Sequence, residues 1–472
     1  MLLEDYALKH HLKTNYIPNV LYKIKRPFVK VDEKKLPVLK LDIDQNNFNT
    51  LQEEINKRLA TSSIQWTNRK KWIKANISFE GNKYEIKLRL RGDLSNNFNR
   101  GYENASYRIN LIGKEKRLLG MDKFSLLRPS QEFNIYGYLH YSLNNLAGII
   151  TGKLKYVQIE INGKENGVYL IQEGFSNELY ERYNRRGFIL RPKNDCNENY
   201  WNISNGWLPE FELYEQNKVF KDSLKSIEYN SIIKSLNSLT PSSVFDIKKF
   251  SKHIALSELF MGHHGYVCHN TKLFYNIDSK LIEPIAWDLS YSSPEVAYFA
   301  LLDKNYPKSF HQVLSQSPVY QVLSSDTNFL SAYTNELYKL VFDADINMLI
   351  DSFYTDITAI EQEVALPNSG IYLDTSFIVK NRNVIRREFA FANFLKIGYS
   401  NESQKLYIEN KTILPVKIFE IAHNGNALFC NIFLKPRERY VVSSIMDKGE
   451  VRVKASIFSY SKELSIQSHS VD

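Results

Sequence analysis

The sequence has few cysteines, and they lie far apart. Its 472 residues contain only Cys196, Cys268 and Cys430, with no C-x-x-C pair among them. Structural zinc sites need closely spaced cysteines, and a disulfide framework needs an even number of them. Neither is predicted here, and the three side chains are interpreted as small buried hydrophobic groups.

Long apolar runs are also absent. No stretch of 18 apolar residues occurs, and the first residues, MLLEDYALKHHLKTNY, lack the apolar segment of a signal peptide. As written, the sequence therefore predicts no transmembrane helix and a cytoplasmic protein. Glycine and proline are scarce, at 19 and 14 residues, which excludes fibrous and low-complexity classes.

Positive charge is in excess and unevenly distributed. The formal net charge is +9, which favours anionic partners such as a nucleotide, an acidic polysaccharide or a membrane surface. The alternative is a lysine-rich solvated surface. Nucleic-acid binding is not predicted, because the sequence has no zinc-finger spacing, RNP motif or basic heptad pattern. The basic residues concentrated between positions 67 and 123 are Arg69, Lys70, Lys71, Lys74, Lys87, Arg89, Arg91, Arg108, Lys114, Lys116 and Arg117.

Hydrophobic periodicity indicates a mixed α+β fold. Alternating segments around Gly81 and Asn162-Gly163 predict two hairpins, and residues 174–245 read as a polar, irregular loop or insert with a charged helix at 178–186. Alternation returns from Leu406 to Ser468 and predicts a small antiparallel β domain. Helices are predicted at 47–59, 135–146, 248–261 and through much of 310–395.

The most informative segment runs from His264 to Asp288. Two short apolar strands flank the turn residues 276–279, so the segment predicts a hairpin. Asn270 precedes the hairpin and Asp288 follows it, and a hairpin brings its two ends together. An amide oxygen and a carboxylate are hard ligands suited to Mg²⁺ that also holds phosphates. Protein kinases place their metal-binding Asn and Asp around a hairpin in this way.

Four segments together resemble the CotH (spore coat protein H) kinase family. They are Arg89-Leu90-Arg91-Gly92-Asp93, Ser106-Tyr107-Arg108-Ile109, the hairpin from Val157 to Glu173, and the segment Phe250–Asp288. Each motif is modest alone, but the four occur in the family's order. The resemblance covers about residues 36–395.

The resemblance implies an atypical protein-kinase-like fold of two lobes that binds ATP and Mg²⁺. The expected parts are an arm at 1–35, a β-rich N-lobe at 36–173, a helical C-lobe at 174–398 and a β domain at 399–472. The expected acceptor is a protein or a glycan, and the family implies association with a bacterial cell surface or spore coat.

The resemblance also assigns roles to individual residues. Asn270 and Asp288 are expected to hold the metal and to belong to the catalytic group. The nucleotide is expected to contact four residues near the start of the matching region and at its second hairpin: Arg91, Gly92, Arg108 and Glu173.

Two departures from the family pattern leave the activity open. The residue five positions before Asn270, where kinases carry a catalytic Asp, is Gly265. His264, or His263, is the candidate base instead, because histidine titrates near neutral pH. Asn110 stands where the family often has a lysine. The chain is therefore expected to be an altered kinase. The alternatives are a transferase that uses the same nucleotide site and a pseudokinase or scaffold that binds acidic surface polysaccharide.

Overall fold

The computed structural model divides the chain into two compact units. Unit 1 comprises residues 1–139, 151–184 and 347–374, and unit 2 comprises residues 140–150, 185–346 and 375–472. The structure describes residues 36–60, 71–92, 105–113, 116–127, 135–192, 211–214, 216–236, 240–260, 262–266, 270–289, 318–344, 348, 353, 376–389, 394–400, 405–412, 414–435, 438–442, 449–457 and 465–471. The predicted arm at 1–35 lies outside this set.

Unit 1 contains a closed barrel of seven strands. Its order is β1-β2-β3-β4-β5-β8-β7, and β7 pairs with β1 in parallel to complete the ring. Two helices, α1 (Gln45–Ala60) and α3 (Asn177–Glu181), accompany it. The strands are β1 (Val38–Asp42), β2 (Ile73–Phe79), β3 (Asn82–Leu90), β4 (Tyr107–Leu111), β5 (Lys123–Leu127), β7 (Leu154–Ile161) and β8 (Lys164–Glu173).

Alternation along the strands places the core inside this barrel. In β2 and β3 every second residue is buried, as the period of two requires, and these side chains join one hydrophobic cluster. The turns Glu80-Gly81 and Asn162-Gly163 have positive φ at both positions. This geometry matches the twist of a two-residue hairpin, so both hairpins predicted from the sequence are confirmed.

Unit 2 contains a second sheet, in which β9, β10, β11 and β12 pair antiparallel, together with most of the helices. The sheet order is β10-β9-β11-β12, followed by the two-residue strand β6. The strands are β6 (Ile150–Thr151), β9 (Gly187–Pro192), β10 (Phe211–Leu213), β11 (Leu273–Asn276) and β12 (Leu281–Ala286). The helices are α2 (Ile135–Leu146), α4 (Gln216–Val219), α5 (Ser223–Ser235), α6 (Pro241–Val244), α7 (Ile247–Phe260), α8 (Pro318–Leu323), α9 (Thr327–Tyr338) and α10 (Ser376–Phe389), with a 3₁₀ turn at His263–Tyr266 and a π turn at Lys339–Asp343.

The C-terminal part of unit 2 is antiparallel β structure. One sheet has the order β13-β14-β17 and the other the order β16-β15-β18-β19, and their apolar residues form one cluster. The strands are β13 (Leu395–Ser400), β14 (Lys405–Asn410), β15 (Val416–His423), β16 (Asn426–Leu434), β17 (Arg439–Val442), β18 (Gly449–Ile457) and β19 (Ser465–Val471). The molecule is thus α+β, as predicted, while the domain boundaries stay predictions.

One part of the sequence prediction was wrong. The described part of residues 174–245 is not irregular, because β9 and β10 lie there and β9 pairs directly with β11. The sequence of β9, GFILRP, is buried on both faces and shows no alternation. The charged helix predicted at 178–186 ends at Glu181, and the residues after it lead into β9.

In unit 2 the buried acid Glu283 of β12 contacts α7 and the residues that lead into β9. Glu283 of β12 is 1% exposed and accepts hydrogen bonds from Arg185 Nε at 3.2 Å and Asn276 Nδ2 at 2.8 Å. Lys249 Nζ of α7 lies 2.9 Å from the same carboxylate. A buried carboxylate needs such partners, because an unpaired interior charge is strongly destabilising.

Among the described residues, no helix is long and apolar enough to span a bilayer.

We expect Glu283→Ala to destabilise the protein by about 3 kcal/mol, because it leaves Lys249 and Arg185 without their buried acid. Chemical denaturation measures the loss. Asp278→Ala removes the exposed ion pair with Arg186 on the same hairpin and is the matched control. Exposed ion pairs contribute little to stability, so Asp278→Ala should lower the free energy of unfolding by much less than Glu283→Ala does. Equal losses for the two variants would contradict this account of Glu283.

Candidate functional site

The hairpin β11–β12 carries Asn270 and Asp288 to one end. The register pairs Leu273 with Pro284, and Ile285 N donates to Lys272 O at 3.3 Å, one step further along. Asn270 precedes β11 and Asp288 follows β12, so both residues stand at the open end of the hairpin. Their convergence on one metal ion stays a prediction. Asn270 is buried, at 6% exposure.

Asp288 has an unusual backbone that a tyrosine holds in place. Its φ is +51°, in the left-handed region that residues other than glycine rarely adopt. The amide N–H of Asp288 donates to Tyr141 Oη of α2 at 2.6 Å, and Tyr141 is buried. Backbone strain of this kind is found most often at functional sites. The turn directs the half-buried Asp288 away from the regular path of the strand.

Thr271 and Lys272, which follow Asn270, are also buried, at 7% exposure each. Thr271 Oγ1 donates to Tyr266 O at 3.1 Å, and Lys272 Nζ lies 3.3 Å from Thr271 O. A buried ammonium next to a predicted metal and phosphate site adds positive charge there. Lys272 was not identified from the sequence, although a lysine at the start of an otherwise apolar strand indicates a candidate functional residue.

A hydrogen-bonded layer from α2 and α7 lies beneath the 3₁₀ turn. Asn144 Nδ2 donates to His140 O at 2.8 Å, which directs Asn144 Oδ1 to His253 Nδ1 at 2.6 Å. His253 Nδ1 must therefore carry the proton in this contact. Ser257 Oγ lies 3.0 Å from Tyr266 Oη and 3.4 Å from His140 Nε2, which connects the layer to the turn.

Both histidines of this layer are neutral. Burial lowers the pKa of His253 from 6.5 to about 3. Burial, and then the proximity of His253, lowers the pKa of His140 to about 3 as well. Neither ring is therefore a proton acceptor near neutral pH, and both serve as fixed hydrogen-bonding groups. They hold the helices under the site rather than act in chemistry.

A second buried polar group, the Glu258 carboxyl, lies on α7, the helix that also carries His253. Burial raises the pKa of the Glu258 carboxyl from 4.5 to about 8, and Tyr333 Oη donates to Glu258 Oε1 at 3.1 Å. Asn381 of α10 donates to Glu258 O and Leu259 O at 2.8 and 2.7 Å. These bonds satisfy two carbonyl groups near the end of α7, just before the 3₁₀ turn. The end of α7 is thereby fixed.

Gly265 lies where the backbone of the 3₁₀ turn meets the exit of β12. A Cβ at this position would lie 2.3 Å from Trp287 O and 3.5 Å from Asp288 O. Real Cβ atoms do not approach a carbonyl so closely, so only glycine fits here. This contact explains why the residue five positions before Asn270 is not an acid.

The candidate base, His264, is described only in part. Its backbone and that of His263 belong to the 3₁₀ turn His263–Tyr266. The side chains of both histidines lie outside the described residues. The catalytic role of His264 stays a prediction.

Arg91, Gly92 and Arg108 belong to unit 1, at the ends of β3 and β4. Arg91 N donates to Ser106 O at 2.8 Å, and Arg89 pairs with Arg108 in the register of the two strands. Gly92 has a φ of +84°, so a side chain there would be strained. The nucleotide contacts assigned to these residues stay predictions.

Glu173, also in unit 1, has a structural role that the sequence did not indicate. The residue is buried, at 1% exposure, and Arg182 donates to both carboxylate oxygens, at 3.0 Å from Nη1 and 2.7 Å from Nη2. Lys153 N donates to Oε2 at 2.8 Å. This bidentate pair fixes the end of β8. The nucleotide contact predicted for Glu173 would have to use a carboxylate that Arg182 already engages.

The donor chemistry of Asn270 and Asp288 fits Mg²⁺. Among the described residues, no group of three or more His, Cys, Asp or Glu side chains is placed to hold a metal ion. Two protein oxygens are sufficient for Mg²⁺ that keeps waters and phosphate oxygens as its other ligands.

An amide and a carboxylate at one end of a hairpin form the donor set of metal-dependent phosphoryl-transfer proteins. The chain belongs to the CotH kinase family. The family's model, described as CotH kinase protein, matches residues 88–364, more than half of the chain. The match includes every candidate site residue, and it confirms the family that the sequence motifs indicated. No curated protein matches the sequence.

We expect Gly265→Ala to destabilise the protein by roughly 3 kcal/mol, because its Cβ would press on the Trp287 carbonyl. Gly265→Asp, which restores an acid at the kinase spacing, should destabilise it at least as much. Thermal melting measures both. Gly81→Ala is the control: its Cβ meets no atom within 4 Å, and the left-handed φ alone costs about 1 kcal/mol. A Gly265→Asp variant as stable as the unaltered protein would contradict the packing argument.

Proposed function

We propose that this protein is a Mg²⁺- and ATP-dependent phosphotransferase with a kinase-like two-lobe arrangement, acting on a protein or glycan acceptor. The observation that carries the proposal is the position of Asn270 and Asp288 at the open end of the β11–β12 hairpin, before its first strand and after its second. The left-handed backbone at Asp288 and its bond to Tyr141 support it. Membership of the CotH kinase family supplies the expected reaction class.

Each candidate residue is assigned a role that suits the chemistry of its side chain. Asn270 and Asp288 hold the metal, which neutralises phosphate charge when it is bound. Arg91 and Arg108 contact phosphate oxygens, for which guanidinium groups are suited, and Gly92 lets the backbone approach them. Arg182 keeps the Glu173 carboxylate in one orientation. The family's association with a cell surface or spore coat stays a prediction for this chain.

In the transfer step, the acceptor hydroxyl oxygen forms a bond to the γ-phosphorus of ATP. The bond from that phosphorus to the bridging oxygen breaks, and ADP leaves. His264 is proposed to take the hydroxyl proton, because the packing at Gly265 excludes an acid at the usual position. Positioning and charge neutralisation account for most of the catalysis in such reactions, so a base other than Asp is compatible with activity.

The second candidate function is that of a pseudokinase scaffold that binds acidic polysaccharide. The observation that favours it is Gly265, where the contact with Trp287 O leaves no room for an acid. The excess of lysine and arginine supports an anionic partner. The two candidates differ in whether phosphate is transferred, so turnover decides between them.

We expect Mg²⁺ and ATP together to stabilise the protein, by about 2.7 kcal/mol at 100 times the Kd. Asp288→Asn should abolish this shift in thermal melting without unfolding the protein, because it removes the charge that holds the metal. Asp278→Asn, at the turn of the same hairpin, is the matched control and should keep the full shift. If Asp288→Asn also keeps it, the metal assignment is wrong.

We expect His264→Ala to lower turnover by roughly 10²–10⁴-fold with nucleotide affinity unchanged, because a general base acts in the transition state. The rate of the unaltered protein should also fall as the pH drops through about 6.5, the usual histidine pKa. Phosphate transfer from labelled ATP measures both effects, and His263→Ala tests the alternative base in the same assay. Full activity of His264→Ala would show a structural histidine, and nucleotide binding without any transfer would favour the scaffold.

A further inference from the structure

The outer face of the barrel in unit 1 carries a row of three lysines and one asparagine across four neighbouring strands. The registers place Lys74 opposite Lys87, Lys87 opposite Asn110, and Asn110 opposite Lys123. The residues that alternate with them, such as Ile73, Ile86 and Ile109, are buried in the barrel core. These side chains therefore project outward from the barrel.

A second row of the same face adds two guanidinium groups. Arg89 is paired with Arg108, and both alternate with core residues. The Arg89 guanidinium carbon lies 5.1 Å from the ring centre of Trp72, which is 41% exposed. We define the cationic face by its two rows, which comprise Lys74, Lys87, Asn110, Lys123, Trp72, Arg89 and Arg108.

This arrangement carries an electrostatic cost. Directly opposed like charges on a sheet, such as Lys74 and Lys87, destabilise the strand pair. In the part of the chain that the structure describes, no carboxylate forms an ion pair with either lysine. An acidic row, with Glu85 and Asp42 both opposite Asn76, lies one same-face step further along the strands, and Asp44 is linked through Asn47 to the Lys74 carbonyl. A polyanion would relieve the repulsion on binding.

The shape of the surface limits the partner to an extended molecule. Small ligands bind in concave pockets, whereas this face is the outside of a closed barrel. Its cations span about 14 Å across four strands, at roughly 4.8 Å per strand. Single-stranded nucleic acid needs several aromatic platforms, and Trp72 is the single aromatic residue among the seven that define the cationic face. Lysines present point charges without directional specificity, which suits repeated anionic groups on a polymer.

We propose that the cationic face binds an acidic polysaccharide through Lys74 and Lys87. The inference locates the polysaccharide binding of the second candidate function and rests on that proposal, but it does not rest on phosphoryl transfer, because Lys74 and Lys87 are not among the residues assigned to the metal and the nucleotide. Arg108 belongs to the second row and keeps its predicted nucleotide role. The face would hold a polymer near the enzyme whether the polymer is the acceptor or an anchor.

The test compares a double variant with a charge-matched control, without Mg²⁺ or nucleotide. Lys74→Gln with Lys87→Gln should weaken binding to immobilised polygalacturonate at least about tenfold and make its salt dependence shallower, since each lost cation reduces counterion release. Lys155→Gln with Lys164→Gln, in β7 and β8 of the same barrel, alters two exposed lysines and should bind as the unaltered protein does. Neutral dextran should not bind.

Four results would overturn the proposal. They are unchanged binding by the Lys74/Lys87 variant, an equal loss in the control variant, tighter and equally lysine-dependent binding of a thymidine oligonucleotide, and displacement of the polysaccharide by Mg²⁺ and ATP. The third would assign the face to nucleic acid, and the fourth would assign it to the nucleotide site. Failure of phosphotransfer would leave all of these measurements unaffected.

Discussion

The close approach of Gly265 to the carbonyl of Trp287 is the contact on which the geometry of the site depends. It brings the 3₁₀ turn after α7 against the exit of β12, at a separation that no side chain tolerates. The turn in turn positions Tyr266, which contacts Ser257 on one side and accepts from Thr271 on the other. Asp288, whose left-handed backbone donates its amide hydrogen to Tyr141, follows Trp287 directly.

Burial keeps the polar side chains around this contact neutral, and hydrogen bonds rather than ion pairs join them. His140 and His253 stay neutral because they are inside the protein, and they connect α2 to α7 through hydrogen bonds. Tyr141 reaches from α2 to the backbone of Asp288. The backbone around Asn270 and Asp288 is thus connected to a layer whose two histidines do not titrate near neutral pH. Such a support is suited to holding a metal ligand in a fixed orientation.

The sequence predicted the local elements and the family but not the contacts between distant elements. The hairpin β11–β12 was predictable because its turn residues and apolar runs are both local. Strand β9 was missed because buried strands lack alternation. Closure of the barrel depends on the pairing of β1 with β7, more than a hundred residues apart, and no local pattern indicates it.

In the candidate site, too, the sequence predicted local features but not the contacts between distant elements. Asn270 and Asp288 were found because they flank one hairpin, and Gly265 was found by counting along the chain. The reason for Gly265 was not predictable, because it is a contact with the Trp287 carbonyl across the fold. Tyr141 and Arg182 were not identified for the same reason: their partners, Asp288 and Glu173, come from other elements. The carboxylate of Glu173 was predicted from a motif, which says nothing of the arginine that holds it.

The buried carboxyl of Glu258 makes the interior of unit 2 sensitive to alkali. Its pKa is about 8 in the folded protein against 4.5 ordinarily, so the folded state retains a proton that the unfolded chain releases between these values. The stabilisation is complete below pH 4.5 and falls by roughly 1.4 kcal/mol per pH unit up to about pH 8. Above that, α7 contains a negative charge beside Tyr333. The contribution of this one carboxyl to stability is therefore larger in mildly acidic than in alkaline surroundings.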